Sequence, residues 1–111
     1  MRDAWLLRDG EVLAALEVTE SRKERIQGLL EREGIDGAIL LRPARSVHSV
    51  GMRFTLDVAF CTKDLVVLRT VCLRPGRMTR PCLRGGCVIE AESGAFGRWN
   101  LHVGDQLEVR E

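Results

Sequence analysis

Beyond residue 37 the apolar residues recur at every second position, and this period constrains the fold more than any other feature of the chain. In Leu56–Thr62, Leu56, Val58 and Phe60 share one face while Asp57, Ala59 and Cys61 share the other. Cys87–Glu92 repeats the pattern, with Cys87, Ile89 and Ala91 opposite Val88, Glu90 and Glu92. A two-residue period matches the pleat of a β-strand and not the face of a helix. Ala38–Leu41 predicts a short strand ended by Pro43. The β-branched run Leu65–Leu73 predicts a longer one, paired to Leu56–Thr62 through Lys63-Asp64. Near the N-terminus, Ala4–Arg8 and Glu11–Val18 flank Asp9-Gly10, a two-residue connection of the type I′ class that needs positive φ at both positions. Val103-Gly104-Asp105 turns into a closing strand, Gln106–Arg110.

One segment breaks the period. Ser21-Arg22-Lys23-Glu24 is a capping box, in which the Ser21 hydroxyl takes the Glu24 amide. Ile26, Leu29 and Leu30 follow at helical spacing, and Gly34 stands where a left-handed C′ residue belongs, so a helix over Arg22–Glu33 is predicted. Gly28 inside it costs ~1 kcal/mol against alanine, which points to a close backbone contact there. Arg74–Pro81 reads as a loop, and Gly94–Leu101 as holding a short helical turn. The expectation is a mainly β domain, α+β by content: an antiparallel β-sandwich or partly open barrel, with one helix in the N-terminal half and a short second helical turn.

A chain of 111 residues is expected to form a single domain, 1–111, that buries roughly 60–70% of its unfolded surface. Apolar stretches such as Ala38–Leu41 and Leu65–Leu68 run four residues, far short of the ~18 a membrane helix needs. Ala4–Leu7 is closed at once by Arg8-Asp9, unlike a signal peptide, so a cytoplasmic protein is expected.

The net charge of +1 conceals an asymmetry: residues 1–37 sum to −3, 38–64 to +2, 65–89 to +5 and 90–111 to −3. The third segment holds Arg69, Arg74, Arg77, Arg80 and Arg84 and no acid. Such a stretch reads either as ordinary surface ion pairs with the acidic ends of the chain or as an anion site, for which Arg74, Arg77 and Arg80, exposed on their loop, are the candidate contacts. Nucleic acid is disfavoured as a partner, because the chain has no tyrosine, five aromatics in all and a pI near 7.7.

His48, Met52, Arg53 and Asp57 bracket the entry into a strand. Aspartate is disfavoured inside strands, so Asp57 should be partly buried and accept a hydrogen bond from His48, Arg53 or a loop amide. These residues form either a structural polar network or a pocket in which Arg53 holds an anionic group that His48 and Asp57 orient. Glu90 and Glu92, two apart on one face, read as solvated carboxylates; buried, they would instead be candidates for a raised pKa. A hydrolase nucleophile is not evident: there is no Gly-x-Ser-x-Gly elbow, and Ser46 and Ser49 read as ordinary loop residues. Arg84-Gly85-Gly86-Cys87 is a flexible connection and not a phosphate motif. Cys61, Cys72, Cys82 and Cys87 have ten, nine and four residues between them, which matches no structural zinc pattern. Cys61 and Cys72 are expected to pack as small hydrophobes, and Cys82 and Cys87 to lie in a basic setting that lowers a thiol pKa. Neither a metal nor a cofactor is expected.

The run His48-Ser49-Val50-Gly51-Met52-Arg53-Phe54-Thr55-Leu56-Asp57-Val58-Ala59-Phe60 resembles the signature segment of the family numbered 192 in the domain-of-unknown-function series, an uncharacterised bacterial and archaeal family. Gly28-Leu29-Leu30, Leu73-Arg74-Pro75, Val88-Ile89-Glu90 and Leu101-His102-Val103-Gly104-Asp105 are similar to it in order and spacing. The chain departs at Lys63-Asp64, where the family commonly has an Asp-Gly type turn, and a secretion signal like that of many relatives is not expected. The resemblance implies a compact, mainly β domain and no established reaction. The expectation is a small cytoplasmic binding or accessory module with an anion-binding pocket and a small anionic ligand. The alternative is a small hydrolase or transferase using His48, Asp57 and Glu90.

Overall fold

The computed structural model of the chain describes residues 2–30 and 32–111. Its strands are β1 (Arg2–Arg8), β2 (Glu11–Thr19), β3 (Ala38–Leu41), β4 (Leu56–Cys61), β5 (Val67–Leu73), β6 (Cys87–Glu92) and β7 (Glu108–Arg110). Its helices are α1 (Arg22–Leu29) and α2 (Ala95–Arg98). The strands form one seven-stranded sheet in the order β5-β4-β6-β3-β2-β1-β7. β1 and β2 form the expected hairpin, with Asp9 at φ 52° and Gly10 at φ 78°. β4 and β5 pair antiparallel around Lys63-Asp64, and Leu65, at φ 71°, takes the left-handed position that ends the turn. Every ladder is antiparallel except β2–β3. That pair is parallel because α1 carries the chain back across the sheet between them, which a tight turn cannot do.

The sheet is not closed by a strand ladder, yet its ends meet. Val67 donates to Asp105 O (2.9 Å), Gly104 to Val67 O (2.8 Å) and Leu107 to Leu65 O (2.9 Å). The start of β5 is thereby tied to the segment entering β7, and the sheet curls into a partly open barrel. Alternation along each strand then makes two cores. Leu6, Leu16, Val18, Leu40, Ala59, Ile89 and Ala91 lie on the face shared with Phe96, Leu101 and Leu107. Ile39, Leu41, Val58, Phe60 and Val88 lie on the opposite face, covered by Leu29, Val47, Met52 and Phe54.

Arg8 fastens the end of β1 to the closing segment, donating to Trp99 O (2.6 Å), Asn100 O (3.0 Å) and the Asp105 carboxylate (3.0 Å). The His102 amide, and after it Arg8, hold Asp105 below the usual carboxylate range. Its contribution is therefore complete above the ordinary aspartate pKa and is lost as pH falls through its own lowered value.

Helix α1 begins as its sequence indicates: Ser21 is extended (φ −122°, ψ 124°) and its Oγ accepts from the Glu24 amide at 3.2 Å. The helix ends at Leu29, with Leu30 as C-cap, and not at Glu33. Gly34 is not left-handed and so does not close the helix; the nearest atoms to a Cβ there are those of the exposed Glu92 carboxylate. Ile26 and Leu30 are only half-buried, and the inward face is instead Arg25 and Leu29. Ser21→Ala should cost about 0.5–2 kcal/mol, because a helix-end amide loses its acceptor. A urea melt checks this, and an unchanged midpoint would show that the cap adds nothing.

Candidate functional site

The two buried charged side chains among the described residues face one another across the second core. Arg25 of α1 is 2% exposed and Glu90 of β6 is 0% exposed. Their contact is bidentate, Nε to Oε1 at 2.6 Å and Nη2 to Oε2 at 2.8 Å, and the remaining Nη1 donates to His48 O at 2.9 Å. The expectation of two solvated carboxylates therefore holds for Glu92, which is exposed, and fails for Glu90. Glu90 sits in the central strand opposite Val58 and Ile39, so it is covered on its own face whatever its polarity. Breaking such a pair leaves an unmatched buried charge, and Glu90→Gln should cost about 3–5 kcal/mol. The double variant Arg25→Met, Glu90→Leu should recover most of that loss. Denaturant melts of both decide it; a double variant as unstable as the single would mean that the pair is worth more than its desolvation.

His48 begins a second element of the site. Residues 45–49 run beside 77–82, with Thr79 N donating to Val47 O (2.9 Å), Cys82 N to Arg45 O (2.8 Å) and Ser49 N to Arg77 O (2.8 Å). Ser49, read from the sequence as an ordinary loop residue, is fully buried. Its hydroxyl donates to Arg74 O (2.5 Å) and accepts from Arg77 N (3.0 Å), and its carbonyl accepts from Met52 and Gly76. Thr79 is also buried, and its Oγ1 accepts from Val47 N at 3.0 Å. The backbone of the arginine loop is thus held from beneath by two hydroxyls. Gly51 allows this segment to pack on α1: it is left-handed (φ 83°), and a Cβ would lie 2.8 Å from Leu30 Cδ2.

The loop's charges point the other way. Arg74, Arg77, Arg80 and Arg84 are exposed, as expected, and none forms an ion pair among the described residues. Arg69, on β5 beside them, lies 4.5 Å above the Phe60 ring and donates to Arg80 O at 2.7 Å. Its Nε is buried without an acceptor among the described residues.

The candidate residues of the signature segment do not meet in one pocket. Met52 is buried in the second core, Arg53 is exposed, and the His48 ring accepts from Val50 N at 3.3 Å. Asp57 lies on the opposite face of the sheet from Glu90, with Ala59 and Cys61. Its carboxylate accepts from the amides of Gly94 (3.0 Å) and Phe96 (3.1 Å), so its donors are loop amides and neither His48 nor Arg53. Asp57 caps α2, whose own N-cap residue, Gly94, has no side chain to do so. Asp57→Ala should destabilise the fold by about 1–3 kcal/mol, since two amides lose their acceptor. Thermal melts test the loss, and wild-type stability in this variant would mean that water replaces the carboxylate at no cost.

Among the cysteines, Cys61 and Cys87 are buried cross-strand partners, whereas Cys72 is exposed, against the expectation that it packs like Cys61. Cys72 lies on an edge strand, paired with Asp57 on the same face of the sheet, where little covers it. The neighbouring Cys87 thiol, with burial, raises the Cys61 thiol far above its usual range. The same proximity, helped by the charge of Arg42, lowers Cys87. No group of three or more His, Cys, Asp or Glu side chains among the described residues is arranged to hold a metal. No helix among the described residues is long and apolar enough to cross a membrane.

The fold is a curled, mainly β sheet with one crossover helix. The family model described as Uncharacterized ACR, number 192 in the domain-of-unknown-function series, matches residues 5–109. The chain belongs to this family. It shares its fold with a protein of Sinorhizobium meliloti 1021 provisionally described as a transcription regulator, at a TM-score of 0.76 and 19% identity, over 96% of this chain and 92% of that one. It is similar as well to a protein of unknown function from Novosphingobium aromaticivorans DSM 12444, at a TM-score of 0.73 and 15% identity, over 96% and 83% of the two chains. No curated protein matches the sequence.

Proposed function

We propose that the domain is a binding or accessory module that recognises anions through the arginine loop, and not an enzyme. The observation that carries this reading is the loop's two-sided character. Its backbone is fastened to buried Ser49 and its own buried Thr79 binds the backbone of Val47, while Arg74, Arg77 and Arg80 stand in solvent without carboxylate partners among the described residues. Guanidinium groups displayed on a fixed backbone lose less freedom on meeting a phosphate or carboxylate than groups on a mobile loop. The hydrolase or transferase alternative lacks such support. Asp57 is engaged with amides on one face of the sheet, and Glu90 is engaged with Arg25 on the other. The anion pocket around Arg53 is likewise replaced by the arginine loop, because Asp57 is already occupied. The reading includes a cytoplasmic setting, which the four free cysteines, Cys72 exposed among them, support. Inorganic polyphosphate should bind weakly at low salt and be released at moderate salt, since exposed charges are screened. The variant Arg74→Gln, Arg77→Gln, Arg80→Gln should weaken that binding about tenfold or more with an unchanged melting curve. Equal binding by this variant would sink the reading. Tight binding of single-stranded RNA that survives moderate salt would replace it with nucleic-acid recognition.

A further inference from the structure

Beside the exposed loop the arginine surface folds inward. Leu68, Arg69, Pro81, Cys82, Leu83 and Arg84 line a recess of about 470 Å³, within the ~300–1,000 Å³ range of small-molecule sites. Four of these six residues are apolar or weakly polar, and the two others are cations. Leu83 is 79% exposed, so its side chain is open to a ligand. Arg69 is held in place by Phe60 beneath it and by Arg80 O, yet retains a buried Nε–H with no acceptor among the described residues. The guanidinium at the recess wall, so fixed, loses little freedom on meeting an anion. Arg84 is exposed, has no ion-pair partner among the described residues, and residues 65–89 contain no acid to compete with a ligand.

We infer, as a deepening of the anion-binding reading, that this recess takes an aliphatic anion: a single apolar chain ending in a carboxylate or phosphate. Arg69 and Arg84 receive the head, and Leu68, Pro81 and Leu83 cover the chain. The walls favour an aliphatic body over a nucleobase, because no aromatic ring lines the recess to stack on and the Phe60 face is already covered by Arg69. Cys82 in the wall supplies a reporter, since a seated ligand shields its thiol.

The test titrates the full chain with decanoate, acetate and decanol below micelle-forming concentrations, and follows alkylation of Cys82 by iodoacetamide with exposed Cys72 as the internal control. Decanoate should bind at least about tenfold more tightly than acetate, because only it buries a chain. It should slow alkylation of Cys82 and not of Cys72. Decyl phosphate should behave as decanoate does. Arg84→Gln and Leu83→Ser, both at exposed positions, should each weaken decanoate about tenfold. Their melts and their polyphosphate binding through Arg74, Arg77 and Arg80 should be unchanged. Equal binding of decanoate and acetate, or of decanoate and decanol, overturns the recess while leaving the wider arginine surface standing. Binding to phosphatidylglycerol vesicles without Cys82 protection by decanoate also overturns it, in favour of a lipid surface. Loss of polyphosphate binding to the wild-type chain, with decanoate still seated, removes the wider reading instead.

Discussion

The contact between Arg25 and Glu90 organises the structure because neither charge has an alternative partner once the second core closes. Arg25 comes from the crossover helix, Glu90 from the centre of the sheet, and the third donor of Arg25 is spent on the carbonyl of His48. One guanidinium thus ties helix, sheet and signature segment. Burying it is expensive, and two parallel charge-assisted bonds plus a carbonyl are what make the burial tolerable. Its planar geometry admits few placements, so α1 has little freedom to slide along the sheet.

From that fixed point the polar interior continues outward. His48 holds Arg25 by its carbonyl, Ser49 holds the turns at Arg74 and Arg77, and Val47 exchanges bonds with Thr79. Each buried polar group in this series has a partner, as a low-dielectric interior requires. The result is an arginine loop whose backbone belongs to the core and whose charges belong to the solvent. The proposed anion recognition would draw on both: a fixed backbone lowers the freedom lost on binding, and guanidinium groups unpaired among the described residues leave their charge available.

The two faces of the sheet also separate the chemistry. Asp57 and Glu90 lie on neighbouring strands β4 and β6, yet strand alternation sends them to opposite cores. Asp57 ends at the amides that start α2, where a carboxylate complements a cluster of free N–H groups. Two carboxylates that a linear reading offers for acid–base work are each consumed by architecture.

Features set by near neighbours along the chain are legible in the sequence. The Asp9-Gly10 hairpin, the Ser21 cap, the bounds of β3 and β6, the faces of β4 and the exposure of the arginine loop all follow from residues a few positions apart. The end of α1 is not legible there, because the helix stops at Leu29 and Gly34 is not its left-handed terminus. Arg25 is hidden in a helix face marked by its Ile and Leu residues. Its partner lies 65 residues away, and no local period carries that distance. The burial of Ser49 is equally invisible, although its place within the signature segment is a signal that sets it apart from Ser46.

The sequence alone therefore determined where the chain turns, which residues alternate, where one helix begins and where positive charge gathers. Those properties depend on backbone geometry and on solvation of short segments, both local. Tertiary structure decided which polar residues are matched: Glu90 with Arg25, Asp57 with the α2 amides, Ser49 with the arginine loop. A buried charge is tolerable only beside its complement, and the complement is chosen by how the sheet curls and where the helix lands on it.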